Sequence, residues 1–131
     1  MEEIVSVFPG TLRPLCRAGF AQGIEPEEIR LRIGRPVMVL GSGREYFWNQ
    51  EKVKLQESRE QSYLWRESDM KETLSRMSKY SMYALEEELR NGFFTIQGGH
   101  RVGVAGRTVC EQGKVLSFRN ICSLNIRVAR Q

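Results

Sequence analysis

The chain has 131 residues, 40% of them hydrophobic and 27% charged, and carries a formal net charge of +4. That size fits one globular domain with a modest core and excludes two independent cores. No apolar run approaches the roughly 20 residues that cross a bilayer, and the acidic opening Met1-Glu2-Glu3 lacks the basic and apolar parts of a secretory signal, so a cytosolic location is expected.

Residues 2–18 place Ile4, Val5, Phe8, Leu12 and Leu15 at near-helical spacing, but Pro9-Gly10 and Pro14 forbid one unbroken helix, so two short helical pieces are expected. Glu25-Pro26-Glu27-Glu28 reads as a turn. After it the period changes to two: Ile29, Leu31 and Ile33 alternate with Arg30 and Arg32, which sets both arginines on one strand face. Gly34-Arg35-Pro36 breaks that strand, and the apolar run Val37-Met38-Val39-Leu40, closed by Gly41-Ser42-Gly43, predicts a second strand in a hairpin-like unit.

Residues 44–67 scatter Tyr46, Phe47, Trp48, Tyr63 and Trp65 among polar residues and predict a short strand and an exposed connection. Asp69 with Glu72 has the spacing of a capping box, which predicts a helix start at Asp69. Met70, Leu74, Met77, Ala84, Leu85 and Leu89 then form a helical stripe, with a joint near Tyr80-Ser81 and an end at Asn91-Gly92. Beyond it, 93–97, 101–105, 107–111 and 114–119 predict short strands, the last two joined by a turn at Gln112-Gly113, and Leu124, Ile126 and Val128 predict another. Because helices and strands do not alternate strictly, the fold class is α+β: a single domain whose mixed or antiparallel sheet packs against helices, with a helical N-terminal segment.

Cys16, Cys110 and Cys122 are odd in number and widely spaced, so reduced, mostly buried thiols are expected. His100 is the sole histidine. A His-His zinc site is thereby excluded, and a structural or hydrogen-bonding role for His100 outweighs a catalytic one.

Charge is concentrated late. Residues 93–131 carry Arg101, Arg107, Lys114, Arg119, Arg127 and Arg130 against Glu111 alone, a local net of +5 against about −1 for everything before it. Such a field attracts phosphates, nucleic acid or an acidic partner. Gly98 and Gly103 match the glycines of G-x-x-x-x-G, but Val104 and Ala105 stand where a phosphate loop needs lysine and a hydroxyl residue, so this is no P-loop. Gly98 and Gly99 suit a strand-to-strand turn, and Gly103 and Gly106 suit a bulge or a close backbone approach. The guanidinium forks of Arg101, Arg107, Arg119 and Arg127 are the remaining candidates for chemistry.

Three segments, EIRLRIGRPVMV (28–39), SDMKETLSRMSKYSMYALEEELRNGFFTIQGGHRVGVAGRTV (68–109), which contains YALEEELRNGF and GGHRVGVAG, and ICSLNIRVAR (121–130), are together similar to the amino-terminal part of the stage III sporulation protein AA family. That family resembles the ring ATPases of type II and type IV secretion, in which an amino-terminal α+β domain precedes a RecA-like motor. The resemblance implies that residues 1–131 form the amino-terminal regulatory domain, with the Walker elements and the motor outside this chain. Hydrolysis by this chain alone is not expected. ATP and magnesium are implied as cofactors of the longer protein and none for this chain.

It also implies identical subunits in a ring, a hexamer by analogy, and membrane proteins of a sporulation channel as partners, at the cytoplasmic face of the mother-cell membrane opposite the forespore. By the same analogy Arg101, Arg107, Arg119 and Arg127 are expected to contact nucleotide phosphates, with Gly98 and Gly99 shaping the turn beside them. The alternative for these arginines is surface pairing with Glu86-Glu87-Glu88. The rival function is a basic, β-rich nucleic-acid-binding module, which the few aromatics of residues 93–131 make the less favoured one.

Overall fold

A computed structural model of the chain describes residues 2–78, 87, 88, 90, 92–106 and 121–129. Proline decides how the chain begins. The helix α1 (Glu2–Val7) stops short of Pro9, and α2 (Leu15–Ala21) starts after Pro14, whose φ of −73° already suits a helix. Gly23 ends α2 at φ +74°; its N–H and that of Ile24 donate back to Phe20 and Gly19 at 3.0 and 2.8 Å, which closes the last turn as a Schellman motif.

Seven strands follow among the described residues: β1 (Glu28–Arg32), β2 (Met38–Gly41), β3 (Arg44–Asn49), β4 (Lys54–Gln56), β5 (Phe93–Ile96), β6 (His100–Gly106) and β7 (Ile121–Arg127). They form one sheet in the order β4-β3-β2-β1-β7-β6-β5. Every pairing is antiparallel, so of the two expected arrangements the antiparallel one holds. The closing strand β7 inserts between β1 and β6, and thus joins the amino-terminal meander to the β5–β6 hairpin. The class is α+β, as expected.

Period-two alternation sends Ile29, Leu31, Val39, Trp48, Leu55, Phe94, Val102, Leu124 and Ile126 to one face, where all are buried. Ile4, Val7 and Leu15 from the first two helices join that cluster, as do Met70 and Leu74 of α3 (Glu67–Met77). Each such side chain contributes about 1.5–3 kcal/mol by leaving water. Trp48 also donates its indole N–H to the Thr11 carbonyl at 3.1 Å, which pins the loop between α1 and α2 to the sheet.

Several local expectations are corrected. Glu28 opens β1 rather than ending a turn, because Pro26 and not Glu28 is the last residue barred from donating to the ladder. Residues 44–67 hold two strands, and Trp65 is buried, because the segment around Tyr63–Trp65 folds back onto β2 and β3: Val37 donates to Tyr63 and Tyr63 to Trp48, at 3.0 and 2.7 Å. The third helix starts at Glu67, with Asp69 in its first turn reaching back to the Arg66 N–H at 3.0 Å. Asp69 is therefore the reciprocal limb of a cap and not the cap itself. Cys122 is exposed, since it is the extra residue where β7 bulges opposite Ala105 and Gly106. That bulge bears out the expectation for Gly106. A Cβ at Gly103 would meet only the Asn125 carbonyl at an ordinary 3.9 Å, so no close approach explains Gly103.

The expected strands at 107–111 and 114–119, their turn at Gln112-Gly113, Cys110, the Tyr80-Ser81 joint and the stripe residues Ala84, Leu85 and Leu89 lie outside the described residues.

Candidate functional site

The second face of the sheet carries the charged residues. Strand register fixes two rows across it. One runs Thr95, Arg101, Arg127, Glu28, Leu40 and Glu45; the next runs Phe93, Gly103, Asn125, Arg30, Met38 and Phe47. Residues paired in register share a face, so Arg101 and Arg127 stand directly opposite each other on β6 and β7. At the β3 side of this face Phe47 is capped by the Arg59 guanidinium, 5.2 Å from its ring centroid. At the β5–β7 side the arginines remain open to solvent.

Glu28 organises the centre. Its carboxylate accepts from Arg30 Nε at 2.8 Å and from Asn125 Nδ2 at 3.2 Å, and its Oε1 lies 3.5 Å from Arg127 Nε. One carboxylate thus serves two guanidinium groups. Arg127 keeps 71% of its side chain exposed. Arg101 has no carboxylate partner among the described residues; its guanidinium instead sits 4.6 Å from the centroid of Phe93, two positions along from its register partner on β5. A guanidinium resting over a ring still has five N–H donors with which to meet oxygen acceptors.

The turn between β5 and β6 lies at the same end of the sheet. Gly98 and Gly99 adopt φ of +96° and +81°, the left-handed conformations a tight return requires. The space on the helix side of Gly98 is occupied: an added Cβ would land on the Glu3 carboxylate and on His100 Nε2. That side of the turn therefore faces α1 and offers no cradle for a ligand. Hydrogen bonding to its own backbone amide holds the Glu3 carboxyl below the usual carboxylate range. His100 is 1% exposed; its Nδ1 accepts the Ala129 N–H at 3.0 Å, which puts the ring proton on Nε2, 3.5 Å from Glu3 Oε1. The histidine ties α1, β6 and the segment after β7 together, the structural role expected of it.

The structure therefore brings Arg101, Arg127, Gly98 and Gly99 to one end of the sheet, while Arg107 and Arg119 lie outside the described residues. Among the described residues Arg127 goes to Glu28, and Glu87 of the acidic run goes to Arg90 at 3.4 Å, while Glu86 lies outside the described residues. Glu28 and Asn125 were not singled out in the sequence. The signal for Glu28 was present, since it has the same parity as Arg30 and Arg32, but only the β1–β7 pairing brings it to Arg127.

Residues 1–131 match the family model described as sporulation stage III, protein AA. The chain belongs to this family. Its similarity to the family member from Bacillus subtilis (strain 168), the Stage III sporulation protein AA, is 43% identity over 132 residues, covering 100% of this chain and 39% of that protein. The chain thus spans about two fifths of the length of the curated relative it matches. No solved structure matches it. The family strings 28–39 and 121–130 form the adjacent strands β1 and β7, and 98–106 supplies the turn and β6, so the segments that carry the resemblance are also those that build the arginine face.

Proposed function

We propose that this chain is the amino-terminal regulatory and assembly domain of a sporulation ATPase of the secretion-motor type, and that Arg101 and Arg127 sense nucleotide phosphates held by an adjoining motor. The observation that carries this reading is the direct cross-strand placement of two arginines on an exposed face, where Arg127 shares the Glu28 carboxylate with Arg30 and Arg101 has no carboxylate partner among the described residues. Two like charges in register repel, so the arrangement favours an anion that bridges them. Membership of the family supports the assignment to sporulation, and the likeness of that family to secretion ATPases supports the motor, the ATP and magnesium it would use, and a ring of identical subunits.

The whole protein would work at the cytoplasmic face of the mother-cell membrane, energising a channel to the forespore together with membrane proteins of that apparatus. A peripheral position at that membrane is the form proposed; among the described residues no helix is long and apolar enough to cross a membrane. A guanidinium aimed at developing phosphate charge contributes on the order of a thousandfold in other phosphoryl-transfer systems. The test is ATP turnover of the full-length protein with Arg101→Ala or Arg127→Ala. Turnover is expected to fall at least tenfold, and wild-type rates would reject the role.

A nucleic-acid module is the second reading, favoured by the Arg101–Phe93 stack, whose components are of the kind that hold single strands. It requires polynucleotide binding that weakens steeply with salt.

A further inference from the structure

We propose that the carboxyl end of α2 and the β3–β4 turn form a contact site for an anionic lipid surface, with Phe20 as the inserted side chain. Phe20 is 85% exposed, more than any other large apolar residue described. Single exposed apolar side chains are common and mean little alone. Here three further features converge.

The first is the rigidity of the display. Phe20 sits in the Schellman turn that ends α2, where its own carbonyl accepts the Gly23 N–H. The Gln22 side chain then exchanges two hydrogen bonds with the backbone of Leu55 in β4, both at 2.8 Å. Gly19 packs against the Leu55 side chain, so the backbone under Phe20 is fixed to the sheet edge. A phenyl ring held outward from a fixed base loses little freedom on insertion.

The second is Val53, at the same edge. It is 49% exposed and holds φ +50°, a conformation a β-branched residue adopts only against its own sterics. An outlier of this kind is informative about function where the surroundings over-determine it. Two apolar side chains thus stand clear of the core beside β4.

The third is charge. From Ile4 to Ile24 the sequence has no acid and carries Arg13 and Arg17, both exposed; the adjoining segment 50–56 adds Lys52 and Lys54 against Glu51 alone. Four cations thus lie in the two segments that the Gln22–Leu55 hydrogen bonds bring together, the composition of interfacial anchors in which aromatic residues enter the acyl boundary and basic residues stay among anionic headgroups. Charge complementarity selects an anionic bilayer over a neutral one. One phenylalanine with four cations makes a reversible contact and not a permanent anchor. The site lies at the β4 edge, away from Arg101 and Arg127 at the β5–β7 side, so both surfaces can be engaged together. The inference deepens the peripheral location proposed above and rests on that part of it alone.

The test is flotation of the purified chain with vesicles of phosphatidylglycerol and phosphatidylcholine, or of phosphatidylcholine alone, in low and high salt and without nucleotide. Binding is expected on anionic vesicles only. It should weaken with salt, fall about fivefold for each of Arg17→Gln and Lys54→Gln, and disappear in Phe20→Ser. Leu64→Ser removes the next most exposed large apolar side chain described, 51%, elsewhere on the surface and should leave binding unchanged.

Equal binding to neutral vesicles, an equal loss in Leu64→Ser, or no vesicle binding at all would overturn the proposal. So would a Phe20→Ser change confined to the sedimentation coefficient, which would make the patch a contact between copies of this chain. Vesicle binding that survives Phe20→Ser would sink this site and leave the peripheral location standing. None of these outcomes bears on the arginine pair, which is read separately by turnover.

Discussion

Arg101 and Arg127 are register partners on β6 and β7, two guanidinium groups directly opposite each other on a solvent-facing sheet surface. Like charges in that relation oppose folding. A double-mutant cycle of Arg101→Gln and Arg127→Gln, followed by urea denaturation, is expected to give an unfavourable coupling of about 0.5 kcal/mol at low salt. The coupling should shrink toward zero in high salt as screening takes over. The cycle isolates the pair from the Arg101–Phe93 contact, and a favourable coupling would contradict the repulsion.

Asp69 is the polar residue on which the helix α3 turns. Buried at the start of that helix, it accepts from the Tyr63 hydroxyl at 2.5 Å, the Arg66 N–H at 3.0 Å and the Thr11 hydroxyl at 3.3 Å. Asp69→Ala strands three donors and is expected to cost about 3 kcal/mol; Tyr63→Phe removes one of the three bonds and should cost about 1 kcal/mol. Chemical denaturation of the two variants checks the order.

Burial, and then the hydrogen bond to Asp69, push the Tyr63 phenol above its ordinary 10.0. A folded-state value above the unfolded one gives a contribution that is complete below about pH 10 and is lost as pH rises through the folded value. Melting temperatures from pH 8 to 11 should therefore fall more steeply for the wild type than for Tyr63→Phe.

Cys16 and Cys122 should differ as nucleophiles. Burial raises the Cys16 thiol from 9.0 to about 11, whereas Cys122 is exposed on the β7 bulge. At pH 8 that shift lowers the thiolate fraction of Cys16 about a hundredfold from that of an ordinary thiol. Peptide mapping after iodoacetamide treatment is expected to show Cys122 labelled first and Cys16 only after unfolding. The same shift has the sign of the Tyr63 effect: its contribution is complete below pH 9 and is lost as pH rises through about 11.

Gly98 and Gly99 both hold left-handed angles, but only Gly98 is also enclosed. Gly99→Ala pays only the backbone strain, about 1 kcal/mol, since the nearest atom to its Cβ is that of Ala129 at 3.8 Å. Gly98→Ala adds a collision with Glu3 and His100 and is expected to cost at least about 2 kcal/mol. Thermal melts of the pair give the comparison.

Local order was legible in the sequence wherever it depends on near neighbours. Alternation of Ile29, Leu31 and Ile33 with Arg30 and Arg32 defined β1 and its two faces, and the prolines divided α1 from α2, because side-chain direction and proline sterics act over a few residues. The clustering of basic residues after residue 93, and the strings that mark the family, were equally one-dimensional. What waited for the tertiary structure was everything that joins distant segments. The burial of Trp65 depends on a return of the chain to β2 and β3, and the opposition of Arg101 and Arg127, with Glu28 beside them, depends on β7 inserting between β1 and β6. Strand order is chosen by the combined fit of many buried side chains on one face, so the positions of charges on the other face follow from a packing solution that no local pattern contains.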